Sequence, residues 1–234
     1  VVSIYVNPTQ FGPNEDFETY PRDEERDLRL CGERGVDVVW LPASAEMYPP
    51  GYDSFVEVER LGETLCGASR PGHFRGVCTI VAKLFNVVRP HVAVFGRKDA
   101  QQARIIRQMS EDLHLGVRIV VAPIVREEDG LALSSRNVRL APEHRAQAPA
   151  LFRALSAARR AFDEGERDPG RLVAQVRRML EEQAPDGEID YIELVSWETM
   201  HPVQRADESC LLALAVRFGG VRLIDNIFFS DGEP

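Results

Sequence analysis

Short apolar runs alternate with amphipathic stretches through the first half of the chain. Val1-Val2-Ser3-Ile4-Tyr5-Val6 reads as a strand. Asp23 to Arg34 is charge-rich, carries Leu28 and Cys31 on one side and ends at Gly35, the pattern of a surface helix with a glycine stop. Val36 to Leu41 predicts the next strand, and Pro42 to Gly51, with three prolines, predicts irregular chain. Ser54-Phe55-Val56-Glu57-Val58-Glu59 alternates strictly, which predicts an edge-type strand. A helix from about Val77 to Val88 is stopped by Pro90. The run Val92-Ala93-Val94-Phe95 then predicts a parallel strand buried on both faces. Ala100 to Leu113 follows as a helix with Ile106, Met109 and Leu113 in its apolar stripe, and Val117 to Ala122 as a strand. Strand and helix in alternation at this spacing predict an α/β fold with a Rossmann-like, doubly wound parallel sheet and right-handed crossovers.

After Pro123 the rhythm changes. Asp129-Gly130, between Ile124-Val125 and Leu131-Ala132-Leu133, predicts a tight hairpin. Glu143 to Gln183 predicts two helices broken between Gly165 and Gly170. Three strands follow, Ile189 to Val195, Leu211 to Phe218 and Val221 to Phe228, with Gly219-Gly220 turning between the last two. Helices followed by strands predict a smaller α+β C-terminal domain. The expected division is therefore residues 1–123 and 124–234, with the stretch up to about Leu140 lying between the two. The chain shows no internal repeat or low-complexity tract.

Composition narrows the function. The 234 residues are 44% hydrophobic and 28% charged, the usage of an ordinary globular protein. No apolar run approaches the roughly 20 residues that span a bilayer. The formal charge of −9 disfavours nucleic acid and anionic membrane as partners, so an anionic ligand must be held by local cations. Cys31, Cys66, Cys78 and Cys210 are widely spaced, suggesting neither a zinc site nor a disulfide framework, and fit a reducing, cytoplasmic compartment. The chain opens directly on a strand, and the expectation is that the true beginning lies upstream.

Candidate chemistry clusters at the carboxyl ends of strands, where open α/β sheets bind ligands. Phe95-Gly96-Arg97-Lys98-Asp99-Ala100-Gln101-Gln102 joins a strand to a helix start. There Asp99 can cap the helix with Gln102 as its box partner, while Lys98 meets an anion such as phosphate; the plain alternative is a solvated lysine beside an ordinary cap. Asn7-Pro8-Thr9-Gln10-Phe11-Gly12-Pro13-Asn14 offers two amides to a polar ligand, or is a turn in which Asn7 bonds its own backbone. Arg70-Pro71-Gly72-His73-Phe74-Arg75-Gly76 precedes a helix, with His73 either functional or a packed, capping histidine. Ser134-Ser135-Arg136-Asn137 can wrap phosphate oxygens through paired guanidinium donors and hydroxyls, or form an exposed turn capping the next helix. No P-loop and no G-x-G-x-x-G after a strand is present, so a nucleotide would be held by another device.

Together these segments, with Val125 to Asn137 and the late Leu223-Ile224-Asp225-Asn226-Ile227, resemble the pantothenate synthetase family of ATP-dependent pantoate–β-alanine ligases, in order and from Val1 to about Ile227. The resemblance implies a nucleotidyltransferase-type domain with a lid-like C-terminal domain, and a homodimer. It also implies condensation of pantoate with β-alanine through a pantoyl-adenylate, releasing pyrophosphate and then AMP. By position, Gln10 and Gln102 correspond to pantoate-binding glutamines, Gln10 also lying near β-alanine. Gly96, Arg97, Lys98, Asp99, Val125, Leu133, Ser134, Ser135 and Arg136 correspond to ATP-binding segments. Lys98, Ser134, Ser135 and Arg136 would stabilise the reacting phosphates, Mg²⁺ would arrive on the phosphates with no protein metal site, and Asn7, Arg70, His73 and Phe95 would neighbour the pocket. The family's Pro-Thr-Met-Gly-x-Leu-His-x-Gly-His segment has no counterpart in the chain. Arg97 stands where the family usually has Glu, Ala100 where Tyr is common and Leu133 where Met is common. The alternatives are a truncated fragment that binds nucleotide or hydroxy acid without efficient turnover, and another adenylyl- or cytidylyltransferase on the same fold.

Overall fold

A computed structural model describes residues 1–13 and 15–230 of the chain. Asn14, the last residue of the expected amide loop, and residues 231–234 fall outside the described residues. Strand β1 (Val2–Ser3) pairs in parallel with β2 (Val39–Trp40), and β3 (Val92–Gly96) pairs in parallel with β4 (Arg118–Ala122). The first two strands are shorter than the runs that predicted them. Their ladder is carried by Val2 N–H to Val38 O and Ile4 N–H to Trp40 O.

The helices that accompany these strands form for local reasons. Helix α1 (Glu24–Glu33) starts at Asp23, whose carboxylate accepts the Arg26 N–H, and Glu24, Glu25 and Asp27 place negative charge on its positive end. Two short helices, α2 (Ser44–Met47) and α3 (Leu65–Ser69), bridge the irregular stretch to α4 (His73–Val88), which buries ten residues. Helix α5 (Ala100–Asp112) buries Ala103, Ile105, Ile106 and Met109, whereas Leu113 lies past its end and is half exposed.

Two expected strand features are not found in this half. Ser54 to Glu59 is not a strand: the Val56 N–H donates to the Thr79 hydroxyl on α4 at 3.0 Å. Val56 and Val58 pack on the core from an extended segment laid against a helix, which gives the same alternation as an edge strand. Strand β3 is not buried on both faces. Ala93 and Phe95 pack against the core, but Val92 and Val94 are 39% and 65% exposed.

The C-terminal part follows its pattern closely. The Glu127–Gly130 turn closes a hairpin through Glu127 N–H to Leu131 O and Leu133 N–H to Val125 O; Gly130 adopts φ +92°, a conformation side chains disfavour. The helical stretch holds three helices, not two: α6 (Pro142–Gln147), α7 (Ala150–Asp163) and α8 (Pro169–Gln183), with Pro149 interrupting the first pair. Asp168 caps α8, whose first residue is proline. Strands β5 (Gly187–Ser196), β6 (Cys210–Phe218) and β7 (Val221–Phe228) form an antiparallel sheet in sequence order.

This sheet is covered on both sides. Leu212, Leu214 and Val216 of β6 join the core built with α7 and α8, while Leu211 and Ala213 point into the core built on α4 and α5. The alternation of β6 is thus apolar on both faces, which fastens the C-terminal sheet to the parallel α/β layer. The fold expected from the sequence, parallel strands with helices followed by a smaller α+β part, is present.

Candidate active site

A cleft of about 850 Å³ is walled by segments from both parts of the chain. Gln10, Lys98, Ser134 and Arg136 line it together. Gln102 lines a small cavity of about 40 Å³ behind it, which shares Arg70, His73, Lys98, Asp99, Ile224 and Asp225 with the cleft. All the polar loops singled out in the sequence therefore converge. The walls carry seven arginine and lysine side chains against four acidic ones, so the cleft is locally positive on a chain of net charge −9.

Gln10 ends a single 3-10 turn, Pro8–Gln10, separated from β1 by residues 4–7. Asn7 is the hub that fixes this turn. Its Nδ2 donates to Gln10 Oε1 and to Gly76 O, both at 3.1 Å, while its Oδ1 accepts from the hydroxyls of Thr9 and Tyr48. With every polar side-chain atom engaged and 3% of its surface exposed, Asn7 is scaffold, and it turns the Gln10 amide so that the N–H₂ end is left to donate.

Arg70 and His73 grip the same turn from α4 and the residues just before it. His73 Nδ1 lies 2.8 Å and Arg70 NH2 3.2 Å from the Gln10 carbonyl, and Arg70 NH1 lies 3.0 Å from His73 Nε2. Arg70 also holds Glu15 with two bonds of 2.6 Å. Burial alone would raise the Glu15 carboxyl; the bonds and charge of Arg70 outweigh it and hold it below its ordinary value.

Burial, helped by the Arg70 charge, pushes His73 down to about 4. The ring is therefore neutral at pH 7, with Nδ1–H donating to Gln10 O and Nε2 accepting from Arg70. Both nitrogens are occupied, so His73 is not a free base. Between pH 6.5 and 4 the unfolded chain binds a proton here that the folded chain does not, so stability is present above 6.5 and is lost as pH falls through that window. We expect wild-type protein to lose about 2–3 kcal/mol more than His73→Gln over this range, by denaturant unfolding at each pH. Equal losses would show that His73 is not the group that titrates.

Lys98 sits in the 3-10 turn Arg97–Asp99 that joins β3 to α5. Its Nζ is 3.9 Å from Asp99 Oδ2. The expected side-chain cap by Asp99 is not formed, because the carboxylate is turned toward the lysine. Of the paired glutamines that follow, Gln101 is structural: it accepts the Cys66 N–H and donates to Leu61 O and Thr64 O. Gln102 borders the same small cavity as Gln101.

Arg136 belongs to the 3-10 turn Ser135–Arg139, and the Ser134 hydroxyl caps that turn through the Arg136 N–H. The guanidinium lies over the Tyr20 ring and makes two bonds of 2.9 Å to Asp16, which also accepts from Arg139 at 2.6 Å. The Arg136 hydrogen bond outweighs burial and holds the Asp16 carboxyl below its ordinary value. The Ser135 hydroxyl donates to Tyr20 OH at 3.1 Å.

Ser135, Gly96, Arg97, Val125 and Leu133 line neither cavity; Val125 and Leu133 are exposed, and the Arg97 guanidinium lies over the Phe228 ring. Phe95 packs against the core beneath the turn. Sequence reasoning gave no role to Asp16, Arg126, Arg139, Asp225 and Asn226, although Arg126, Asp225 and Asn226 stand in segments that carry the resemblance. Asp16 and Arg139 left no signal beyond charge. Asp225-Asn226 did leave one, a polar pair inside the apolar run Leu223 to Phe228, which requires buried partners. Those partners include Arg126, bonded to Asp225 at 2.7 and 2.9 Å. Burial raises the Asp225 carboxyl against the pull of Arg126.

A sequence model described as Pantoate-beta-alanine ligase matches residues 1–228. A pantothenate synthetase of Geobacter sulfurreducens is 56% identical over 233 residues, covering the whole chain and 82% of the relative; one of Heliobacterium modesticaldum is 57% identical over 230 residues, covering 97% and 80%. Among solved structures, the pantothenate synthetase of Thermus thermophilus superposes with a TM-score of 0.94 at 46% identity, over 97% of this chain and 82% of that one. The pantoate-beta-alanine ligase of Francisella tularensis, solved with Beta-gamma ATP and Beta-alanine, gives 0.77 at 33% identity, over 99% and 79%. Similarity of this extent in both sequence and backbone, around a cationic cleft flanked by two glutamines, makes the chain a member of the pantoate–β-alanine ligase family.

Proposed function

We propose that the cleft performs the ATP-dependent condensation of (R)-pantoate with β-alanine to pantothenate, with Gln10 and Gln102 holding pantoate and Lys98, Ser134 and Arg136 holding the phosphates; Ser135, which lines neither cavity, supports the turn through Tyr20. The observation that carries this assignment is the meeting of Gln10, Lys98, Ser134 and Arg136 in one cavity despite their separation in sequence. Family membership and this assembled cleft favour turnover over a binding-only fragment.

In the first step a pantoate carboxylate oxygen attacks the α-phosphorus of ATP and the bond to pyrophosphate breaks. A carboxylate with pKa near ~4 is already ionised at neutral pH, so the step needs alignment and charge neutralisation in place of a base. Neutral amides orient the hydroxy acid without trapping its charge, while Lys98 and Arg136 face the charge developing on pyrophosphate. Mg²⁺ belongs to the proposal as an ion carried by the phosphates: the nearby carboxylates of Asp16 and Asp225 are already committed to arginines. In the second step the neutral β-alanine amine attacks the pantoyl carbonyl carbon, the bond from that carbon to the AMP oxygen breaks, and the proton lost by the nitrogen passes to solvent; the proposal gives Gln10 the further role of orienting the amine.

The proposal assigns nucleotide and pantoate binding to residues 1–123 and a lid-like role to 124–234, and includes a cytoplasmic homodimer. The four free thiols fit a reducing compartment, with burial pushing Cys78 up to about 12. Among the described residues no helix is long and apolar enough to cross a membrane.

Substituting Gln102 by Ala is expected to raise the KM for pantoate at least about tenfold with the KM for ATP unchanged. Titration calorimetry with pantoate and a non-hydrolysable ATP analogue checks the binding directly. An unaltered pantoate KM would remove Gln102 from the site. AMP release independent of pantoate and β-alanine would point to a different nucleotidyltransferase.

A further inference from the structure

Strand β7 carries two polar residues, Asp225 and Asn226, each 3% exposed, inside an otherwise apolar run. The Asn226 carboxamide spends both of its N–H groups on consecutive carbonyls of the Lys98 turn: Arg97 O at 2.9 Å and Lys98 O at 3.0 Å. Its Oδ1 is buried with no hydrogen-bond partner among the described residues. A stranded buried acceptor costs about 1–3 kcal/mol, so this side chain is not there for stability alone. Flipping the amide would set Oδ1 against two carbonyl oxygens, so its orientation is fixed.

Asn226 is itself held in place. Its backbone N–H donates to Asp225 Oδ1 at 2.8 Å, and the same carboxylate is locked by Arg126, which also donates to Gly130 O and lies over the Phe152 ring. Arg126 belongs to the hairpin that leads into Ser134 and Arg136. A continuous path of hydrogen bonds therefore runs from the hairpin before one phosphate-facing segment, through β7, to the turn that carries the other.

We propose that Asn226 is the positioning residue for Lys98, fixing the height and tilt of its turn so that the ammonium meets the triphosphate at the same point as Arg136. The inference rests on the role of Lys98 given above. Lysine has a flexible four-carbon stem, so the location of its charge is set largely by where the turn holds its Cα. Displacement of a positioned group by about 1 Å can cost about 10²-fold in rate.

The test is a double-mutant cycle on the full chain with Asn226→Ala, Lys98→Ala and the pair, reading pantoate-dependent pyrophosphate release and affinity for α,β-methylene-ATP. We expect Asn226→Ala to lower kcat for pyrophosphate release about 10- to 100-fold with pantoate KM unchanged. In the Lys98→Ala background the same substitution should change rate and affinity less than about twofold, because the group it positions is gone. Asn226→Ser, which keeps one donor, should fall between wild type and Asn226→Ala, and it carries the cycle if the alanine variant does not fold. Losses that multiply in the double variant, or wild-type kcat for Asn226→Ala, would overturn the positioning role alone. A Lys98→Ala enzyme with normal pyrophosphate release would overturn the assigned role of Lys98 and this inference with it.

Discussion

Replacing Lys98 by alanine is expected to slow pantoyl-adenylate formation by about 10³-fold without unfolding the protein. Removing one preorganised donor from a charge-stabilising site typically costs about 10²–10³-fold, and a cation facing a leaving pyrophosphate stands at the upper end. Little else depends on the side chain. Its one ion contact among the described residues is the 3.9 Å approach to Asp99, itself half exposed, and pairs of that kind are worth about 0–1 kcal/mol. Pantoate-dependent pyrophosphate release under saturating substrates, with thermal unfolding as the control, separates the two quantities. Unchanged release at unchanged Tm would take Lys98 out of the mechanism.

Gly76→Ala is expected to cost about 3 kcal/mol of stability and to raise the pantoate KM as well. A Cβ built on Gly76 would lie 2.3 Å from Thr9 O, 2.6 Å from Thr9 C and 2.7 Å from Gln10 N. These are main-chain atoms of the turn that presents Gln10, so no side-chain rotation relieves the clash, and overpacking of this kind costs about 1–3 kcal/mol or more. Either α4 moves away or the Gln10 turn is displaced, breaking the Asn7 bond to Gly76 O. Denaturant unfolding together with pantoate KM measures both consequences. Gly32→Ala is the control: it lies in α1 with nothing within 4 Å of the new Cβ, and should be neutral or stabilising by about 0.5–1 kcal/mol. Equal stability of the two variants would show that the α4 contact is not tight.

The legible features of this chain were those written in short windows. Helices α4, α5, α7 and α8 carry their periodicity over three or more turns, and β5 to β7 are long runs bounded by turn residues. Each loop of the site was visible for a similar reason, as a polar insertion between apolar or amphipathic runs. Where window reasoning failed, two structures shared one pattern. The alternation from Ser54 to Glu59 suits an extended segment on a helix as well as an edge strand, and the apolar run at β3 does not say whether one face or both is covered.

Roles within the loops were legible only in part. Asn7 and Gln10 are two amides three residues apart, and Gln101 and Gln102 are adjacent. Asn7 and Gln101 are consumed by scaffold hydrogen bonds, whereas Gln10 lines the cleft and Gln102 borders the small cavity that Gln101 also touches. The difference depends on helical phase and on partners 35 to 69 positions away.

By itself the sequence determined the α/β order of elements, the positions of the polar loops and the chemistry those loops could offer, since propensity, periodicity and side-chain type are properties of neighbouring residues. Tertiary structure alone decided which amides and cations stand free toward the cleft. Asp16 meeting Arg136 and Arg139, Arg70 and His73 closing on one carbonyl, and Asn226 reaching the Lys98 turn are contacts between segments far apart along the chain. A hydrogen bond acts over about 3 Å of space whatever the sequence separation, so only the packed arrangement could distribute those partners.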